Sequence, residues 1–221
     1  MIAWETIDRA RAPDGVELVL ARRGVEWAVR AAGRVLMSSR RHGSEEALAA
    51  LALAGVARPR EVLVGGLGLG FTVRAALDRL PRDARVTVAE LVPAVVAWNR
   101  GPLAELAGRP LDDPRVRVEE DDVGEVIARA RAAWDCVLLD VDNGPSALAH
   151  AANERLYGAS GARALRDALR PGGAVAVWSA ARDAGFVRRL DDTGLAVEEH
   201  AAAAHGRGGG ARHVIVVARR R

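Results

Sequence analysis

Residues 61–72 read EVLVGGLGLGFT, a short apolar run that ends in alternating glycines. The apolar half is typical of a buried β-strand. Glycines let the chain turn tightly and let a ligand approach the backbone where the next helix begins. The spacing is G-x-G-x-G at Gly66, Gly68 and Gly70, and Phe71 stands where a dinucleotide-binding loop has its third glycine. The stretch favours a mononucleoside ligand over a pyrophosphate-linked one, and the alternative is a glycine-rich turn that binds nothing.

On the carboxyl-terminal side of this stretch, β-rich apolar runs alternate with segments of helical period. Strands are predicted at 61–65, 85–90, 115–118, 135–140 and 173–178, and helices at about 71–80, 93–107, 122–133, 153–169 and 181–191. This alternation is typical of an α/β fold with a doubly wound, mostly parallel, Rossmann-like sheet. The last two strands, at 194–200 and 212–218, are joined by an Ala/Gly-rich loop too short for a crossover helix, which predicts an antiparallel hairpin.

The amino-terminal part has a different rhythm. Short alternating segments at 16–20, 25–29 and 34–37 are separated by turn signals that contain glycine, which predicts a small antiparallel β-meander. Ser44 is predicted to cap a helix that extends to about residue 56. We therefore expect a small β-meander over 1–43, followed by a nucleoside-binding α/β domain over 44–221 that begins with this helix.

The composition excludes several functional classes. All 32 basic residues are arginine, the net charge is only +3, and aromatic residues make up 4% of the chain, so nucleic-acid binding is not expected. No stretch approaches the ~20 apolar residues of a membrane span. Cys136 is the single cysteine, and residues 1–15 lack an apolar signal core. A cytoplasmic protein without disulfides is the expectation.

Acidic side chains follow three successive predicted strands. Glu90 comes about 20 residues after the glycines, where a ribose with free hydroxyls needs an acceptor. Asp122 is the candidate contact for an adenine amino group, and its acidic neighbours are expected to complement the helix dipole. Asp140 ends the fourth strand, and Asp142 would share its face. Because parallel strands end at one edge, these residues are predicted to converge on one crevice, although any single one could be a solvated strand-end acid.

The order of motifs resembles the spermidine synthase-like group within the class I S-adenosylmethionine-dependent methyltransferase fold. The segments that carry the resemblance are HGSEEAL, GGLGLGFT, VAELVP, LDDPRVRVEEDD, DCVLLDVDNGP and NERLYGASGARALRDALRPGGAVAV. Together they span nearly the whole chain. The resemblance implies a transferase that binds S-adenosylmethionine or its decarboxylated form.

The resemblance also implies roles for individual residues. The three glycines would line the methionine and ribose part of the nucleoside, Glu90 would bind the ribose hydroxyls, and Asp122 would bind adenine. Asp140 matches the first catalytic aspartate of the family, which accepts from the attacking amine and helps to deprotonate it. Weaker candidates for substrate contacts are Asp142, Glu46 and Tyr157. Five scattered histidines without ligand spacing predict no metal site.

Departures from the family pattern bear on the reaction. The family's glycine loop contains an aspartate, whereas this loop has leucines at 67 and 69. The family also carries the motif Asp-Ser-Thr-Asp-Pro, where this chain has DVDNG at residues 140–144. The family motif Tyr-His-Glu in the entry helix corresponds to SEE at residues 44–46. We therefore expect methyl transfer to a small-molecule acceptor, for which an amine is a candidate, rather than aminopropyl transfer. The alternatives are a polyamine aminopropyltransferase and a catalytically silent nucleoside-binding or assembly homologue. A homodimer through an exposed meander edge is a further expectation.

Overall fold

The computed structural model describes residues 2–40, 42–141, 155–203 and 212–221. The strands in chain order are β1 (Glu5–Arg11), β2 (Glu17–Arg23), β3 (Glu26–Ala31), β4 (Arg34–Ser38), β5 (Glu61–Gly65), β6 (Arg85–Ala89), β7 (Val116–Glu119), β8 (Trp134–Leu139), β9 (Leu169–Ser179), β10 (Ala196–Ala203) and β11 (Arg212–Arg219). The α-helices are α1 (Gly43–Leu53), α2 (Phe71–Leu77), α3 (Pro93–Arg100), α4 (Val123–Arg129), α5 (Ala159–Ala168) and α6 (Ala184–Asp191). Short 3₁₀ helices cover Ala104–Ala107 and Pro110–Asp112.

The strands form two sheets. β1 to β4 make a four-stranded antiparallel sheet in chain order, and the rest make a seven-stranded sheet with the order β10-β11-β9-β8-β5-β6-β7. Strands β5 to β9 pair in parallel, whereas β10 and β11 form an antiparallel hairpin at one edge. The structure therefore confirms the predicted α/β class, the mostly parallel sheet, the terminal hairpin and the amino-terminal antiparallel sheet.

The central strand β5 is apolar from Val62 to Val64 because both of its faces are buried there. Val62, Leu63 and Val64 are each 0% exposed. Val62 and Val64 belong to one apolar cluster and Leu63 to the other, as the alternation of side chains along a strand requires. One cluster contains α1, α2, α3 and part of the amino-terminal sheet, and the other contains α4, α5 and α6. The sheet is thus covered on both faces.

The amino-terminal sheet packs onto the first of these clusters. Leu20 on β2 and Val29 on β3 are buried together with Leu48 of α1. A hydrogen bond of 2.7 Å from Trp98 Nε1 on α3 to Asp8 Oδ2 on β1 adds a polar link. The two sheets therefore share a core, and the division of the chain near residue 43 stays a prediction.

Several predicted boundaries differ from the structure. α1 begins after His42, which makes no side-chain cap, and Ser44 lies inside the helix, so the prediction that Ser44 is the N-cap was wrong. α3 ends at Arg100, because Gly101 follows, and the chain then continues in a 3₁₀ turn rather than the predicted longer helix. β1 was not predicted, because none of its residues is fully buried and its partly buried apolar residues, Ile7 and Ala10, do not follow the alternation of a regular strand. No helix among the described residues is long and apolar enough to cross a membrane.

Candidate active site

The carboxyl ends of the parallel strands meet at one edge of the large sheet. Gly65, the last residue of β5, is paired with Ala89 on one side and with Leu139 on the other. Ala89 is in turn paired with Glu119, the last residue of β7. The residues that follow these strand ends therefore lie along one edge, as the sequence predicted for Glu90, Asp122 and Asp140. In open α/β sheets this edge is where ligands bind.

Gly66 joins three strand ends through its backbone. It has a φ of 87°, and its N–H donates to the Ala89 carbonyl at 2.9 Å. A Cβ atom at this position would overlap the carbonyl oxygen of Asp140. Glycine is therefore required here by close packing of the protein against itself, whatever the loop binds.

Gly68 and Gly70 also have positive φ angles, of 54° and 87°. The buried side chain of Asn99 on α3 donates to the Gly68 carbonyl at 2.9 Å and thus holds the loop from the outside. If Gly68 carried a Cβ atom, the nearest atom to it would be Met37 Sδ, at 3.4 Å. This role of Asn99 was not predicted, because an asparagine inside a predicted helix carries no distinctive signal.

Glu90 is fixed at the tip of β6 by two backbone groups. Its Oε2 accepts from the N–H of Leu67 and its Oε1 from the N–H of Val92, both at 2.9 Å. The residue is only 8% exposed. A carboxylate oxygen can accept from more than one donor, so these bonds orient the group beside the glycine loop without excluding a ribose hydroxyl. The next residue, Leu91, is 48% exposed and offers an apolar side chain at the same edge.

Asp122 is the N-cap of α4. Its Oδ1 accepts from the Gly124 N–H at 2.7 Å. The neighbouring Asp121 pairs with Arg129, which holds the pKa of the Asp121 carboxyl below its usual range. Asp121 and Asp122 thus both have structural partners, and an adenine contact by Asp122 stays a prediction.

Asp140 continues from β8, and its N–H donates to the Gly65 carbonyl at 2.9 Å. The half-buried carboxylate accepts through Oδ2 from the hydroxyl of Thr72 at 2.7 Å. Thr72 is 2% exposed and lies in the first turn of α2, directly after the glycine loop. In the sequence, Thr72 is only part of the predicted helix start, so its contact with Asp140 was not predicted.

Glu45 of α1 is a second carboxyl group that the sequence analysis did not select. Burial, and next the nearby Asp140 carboxylate, raise the pKa of Glu45 from 4.5 to about 7. The Ser44 hydroxyl donates to Glu45 Oε2 at 2.9 Å. The structure thus brings two carboxyl groups, from α1 and from the end of β8, close enough to interact electrostatically.

The weaker substrate candidates lie in different places. Glu46 is exposed and bonds to His42 at 2.8 Å, and the His42 ring stacks on Phe71 with 4.3 Å between centroids. Tyr157, considered as a pocket residue, is 3% exposed and packs edge-on against Phe186 in the second apolar cluster. Asp142 lies outside the described residues.

Other reactive groups do not form a site in the described part of the chain. Cys136 is buried in β8, and burial raises the pKa of its thiol to about 12. Among the described residues no group of three or more His, Cys, Asp or Glu side chains could hold a metal ion.

Comparison with known proteins identifies the family of the chain. The model of the family described as "Spermine/spermidine synthase domain" matches residues 41–181. Polyamine aminopropyltransferase 1 of Streptomyces coelicolor is 35% identical over 120 residues, which are 53% of this chain and 22% of that protein. Putrescine N-methyltransferase 4 of Nicotiana tabacum is 31% identical over 131 residues, 59% of this chain and 32% of that protein. The chain thus spans a third or less of the length of these relatives.

Solved structures show the same fold. A spermidine synthase in complex with the transition-state analogue AdoDATO superposes with a TM-score of 0.81 at 17% identity, covering 98% of this chain and 74% of that one. Spermidine synthase from Thermotoga maritima gives a TM-score of 0.78 at 16% identity, covering 98% and 73%. These comparisons confirm the resemblance that the sequence motifs predicted. The relatives include both aminopropyl- and methyltransferases, so the preference for methyl transfer is supported only in part, and the aminopropyl alternative fits better.

Proposed function

Since the chain belongs to the spermine/spermidine synthase domain family, we propose that it transfers an alkyl group from an adenosyl sulfonium to an amine. Aminopropyl transfer from decarboxylated S-adenosylmethionine is the leading reaction. The observation that carries the proposal is the position of Asp140 at the end of β8, against the glycine loop and oriented by Thr72.

The nucleoside would bind along the edge formed by the glycine loop and the tip of β6. Glu90 is held where it can accept from ribose hydroxyls, and Leu91 offers an exposed apolar surface for the base. The space that a Cβ atom would occupy at Gly68 has few protein atoms around it, so a ligand can approach the backbone there. The described residues therefore fit an adenosyl group.

When bound, the sulfonium supplies an electrophilic carbon: a nitrogen–carbon bond forms, the carbon–sulfur bond breaks, and a neutral thioether leaves. The protein has to deliver the amine with its lone pair aligned. An alkyl amine resembles a lysine side chain, with a pKa of about 10.4, and is mostly protonated near neutral pH. Asp140 would accept a hydrogen bond from the amine, orient it and take up its proton.

Methyl transfer from S-adenosylmethionine is the second candidate. Leu67 and Leu69 are 2% and 5% exposed and occupy the loop positions beside Gly68, so this part of the loop presents no carboxylate for an aminopropyl ammonium. A putrescine N-methyltransferase is among the relatives. A silent homologue that only binds the nucleoside is the third.

The test is to incubate the purified chain with each sulfonium donor and a set of monoamines and diamines, including putrescine and spermidine, and to identify products by mass spectrometry. We expect an aminopropylated amine together with methylthioadenosine. Asp140→Asn should lower turnover by about 100-fold or more while keeping the affinity for the nucleoside within about threefold.

The other outcomes distinguish the alternatives. A methylated amine with S-adenosylhomocysteine would establish the second candidate, and nucleoside binding without any product would establish the silent homologue. Binding of NAD alone would contradict the whole proposal. Wild-type turnover in Asp140→Asn would remove Asp140 from the catalytic residues.

Assembly as a homodimer is proposed from the edge strand β4. Val35 and Leu36 on this strand are 52% and 42% exposed, and an edge strand with exposed apolar side chains is a surface on which a second chain can pair. Light scattering coupled to size exclusion gives the mass in solution, and a monomer at all concentrations would contradict a dimer.

A further inference from the structure

The contact between Thr72 and Asp140 connects the start of α2 to the end of β8. Thr72 is 2% exposed, and its hydroxyl lies 2.7 Å from Asp140 Oδ2. The Asp140 backbone is fixed independently, because its N–H donates to Gly65 and its carbonyl oxygen lies against Gly66. The bond from Thr72 therefore determines the orientation of a side chain whose main chain is already in place.

A hydroxyl that donates to a carboxylate favours the ionised form of that carboxylate. This matters at Asp140 because Glu45 is a neighbouring acid, and two adjacent carboxylates resist being ionised together. The Glu45 carboxyl receives a hydrogen bond from the Ser44 hydroxyl at 2.9 Å. Each member of the pair thus has its own hydroxyl donor, and the division of charge between them depends on the surrounding groups.

The surroundings of the pair contain further charged groups. Among the described residues, the charged groups that act on Glu45 are Asp140 and Glu46, which are both carboxylates. Other titratable groups lie on the elements that pack against α1, and they have partners of their own. On the helix side, Arg74 of α2 pairs with Asp78. On the sheet, Asp135 of β8 pairs with Arg170 of β9, His200 of β10 with Glu198, and Glu199 of β10 with Arg182, while Arg219 of β11 bonds to the Leu51 carbonyl and His213 of β11 contacts Trp178. Burial, and next the Asp140 charge, raise the pKa of Glu45 to about 7, so a large share of the Glu45 carboxyl groups carries a proton near neutral pH.

We propose that Thr72 is a positioning residue, whose hydroxyl orients the Asp140 carboxylate and keeps Asp140 the ionised member of the pair that it forms with Glu45. This inference rests on the proposed function for its catalytic meaning. An ionised Asp140 can accept a proton from the amine, whereas Glu45 is the neutral neighbour that avoids a second uncompensated charge. Thr72 acts through Asp140 and is not itself placed against the substrate.

The first experiment needs no substrate. Protein labelled with ¹³C at aspartate carboxyl carbons is titrated by NMR, and the Asp140 signal is identified as the one that Asp140→Asn removes. In Thr72→Val, which lacks the hydroxyl, the Asp140 titration should move to higher pH, and Thr72→Ser should return it toward the wild-type position. An Asp140 titration that coincides in wild type and Thr72→Val would overturn the proposal.

The second experiment measures transfer with the amine and donor that the wild type accepts. Losing one hydrogen bond to a charged group should lower kcat in Thr72→Val by about tenfold or more, with the KM for the nucleoside within about threefold. The acidic limb of the pH profile of kcat should move to higher pH, and Thr72→Ser should recover most of the loss. An unchanged pH profile would assign Thr72 a merely structural role.

Two results keep this inference separate from the proposed function. If the wild type transfers no alkyl group, the proposed function fails, while the NMR titration still decides whether Thr72 controls Asp140. If valine disturbs the fold, Thr72→Ala also removes the hydroxyl with a smaller side chain. The proposal is supported if the Asp140 titration shifts in Thr72→Ala but not in Thr72→Ser. It is overturned if the Asp140 titration in Thr72→Ala does not shift.

Discussion

At the scale of single residues, the partly buried carboxyl group of Glu45 lowers the stability of the folded protein when it is ionised. Its pKa is raised from 4.5 to about 7, mainly by burial and then by Asp140. The native state therefore binds this proton more tightly than the unfolded chain does. The associated stability is fully present below pH 4.5 and is lost as the pH rises through about 7.

The prediction is that Glu45→Gln gains stability over the wild type as the pH rises. The variant carries no charge at this position, so the difference in free energy of unfolding should grow between pH 5 and pH 8, reaching about 1–3 kcal/mol. Urea unfolding at several pH values measures it. Glu46→Gln removes the exposed carboxylate of the same helix, which is the smallest of the causes that raise the Glu45 pKa, so this comparison variant should change the pH dependence far less than Glu45→Gln does. Parallel curves for Glu45→Gln and wild type would contradict the prediction.

At the scale of elements, the junction of β5, β6 and β8 depends on Gly66. Its φ of 87° matches that of Gly15, at 86°, in the turn between β1 and β2. The two glycines differ in their surroundings: nothing lies within 4 Å of a Cβ at Gly15, whereas at Gly66 the Cβ would overlap the Asp140 carbonyl. Comparing substitutions at Gly15 and Gly66 therefore separates the cost of a positive φ from the cost of close packing.

We expect Gly66→Ala to lower the free energy of unfolding more than Gly15→Ala does. Positive φ alone should cost about 1–2 kcal/mol at both sites, and displacing a packed backbone should add about 1–3 kcal/mol at Gly66. Gly66→Ala should also reduce turnover, because Asp140 must move. Chemical denaturation of both variants measures the difference, and equal losses would show that the junction accommodates a side chain.

The same scale shows what the sequence could and could not predict. The glycine loop and the strand-end acids were predicted because parallel strands bring their carboxyl ends to one edge. The sequence could not show whether Glu45 or Glu46 faces the site. That choice depends on how α1 is rotated, and every α1 residue after Glu46 is apolar. Leu48, Ala49 and Ala52 set that rotation by packing against the sheet. A pattern without a polar face cannot show which side of a helix is buried.

At the scale of the whole molecule, the two sheets share an apolar cluster. Leu20 of β2 is 0% exposed and lies in the same cluster as Leu48 of α1 and Val64 of β5. The cluster also contains residues of α2 and α3, which flank the glycine loop. The amino-terminal sheet should therefore stabilise the edge that carries the site, although none of the residues that we assign to the reaction lies on it.

The last prediction is that Leu20→Ala weakens the whole molecule and not only the small sheet. A fully buried leucine replaced by alanine should cost about 2–5 kcal/mol. Hydrogen exchange measured by mass spectrometry should show that peptides from β2 and β5 lose protection by similar free energies. Val25→Ala, at a side chain that is 91% exposed, is the control and should change stability by about 0.5 kcal/mol or less. Loss of protection in β2 with full protection in β5 would instead show that the amino-terminal sheet unfolds as an independent unit, because a shared core cannot lose one of its sides without exposing the other.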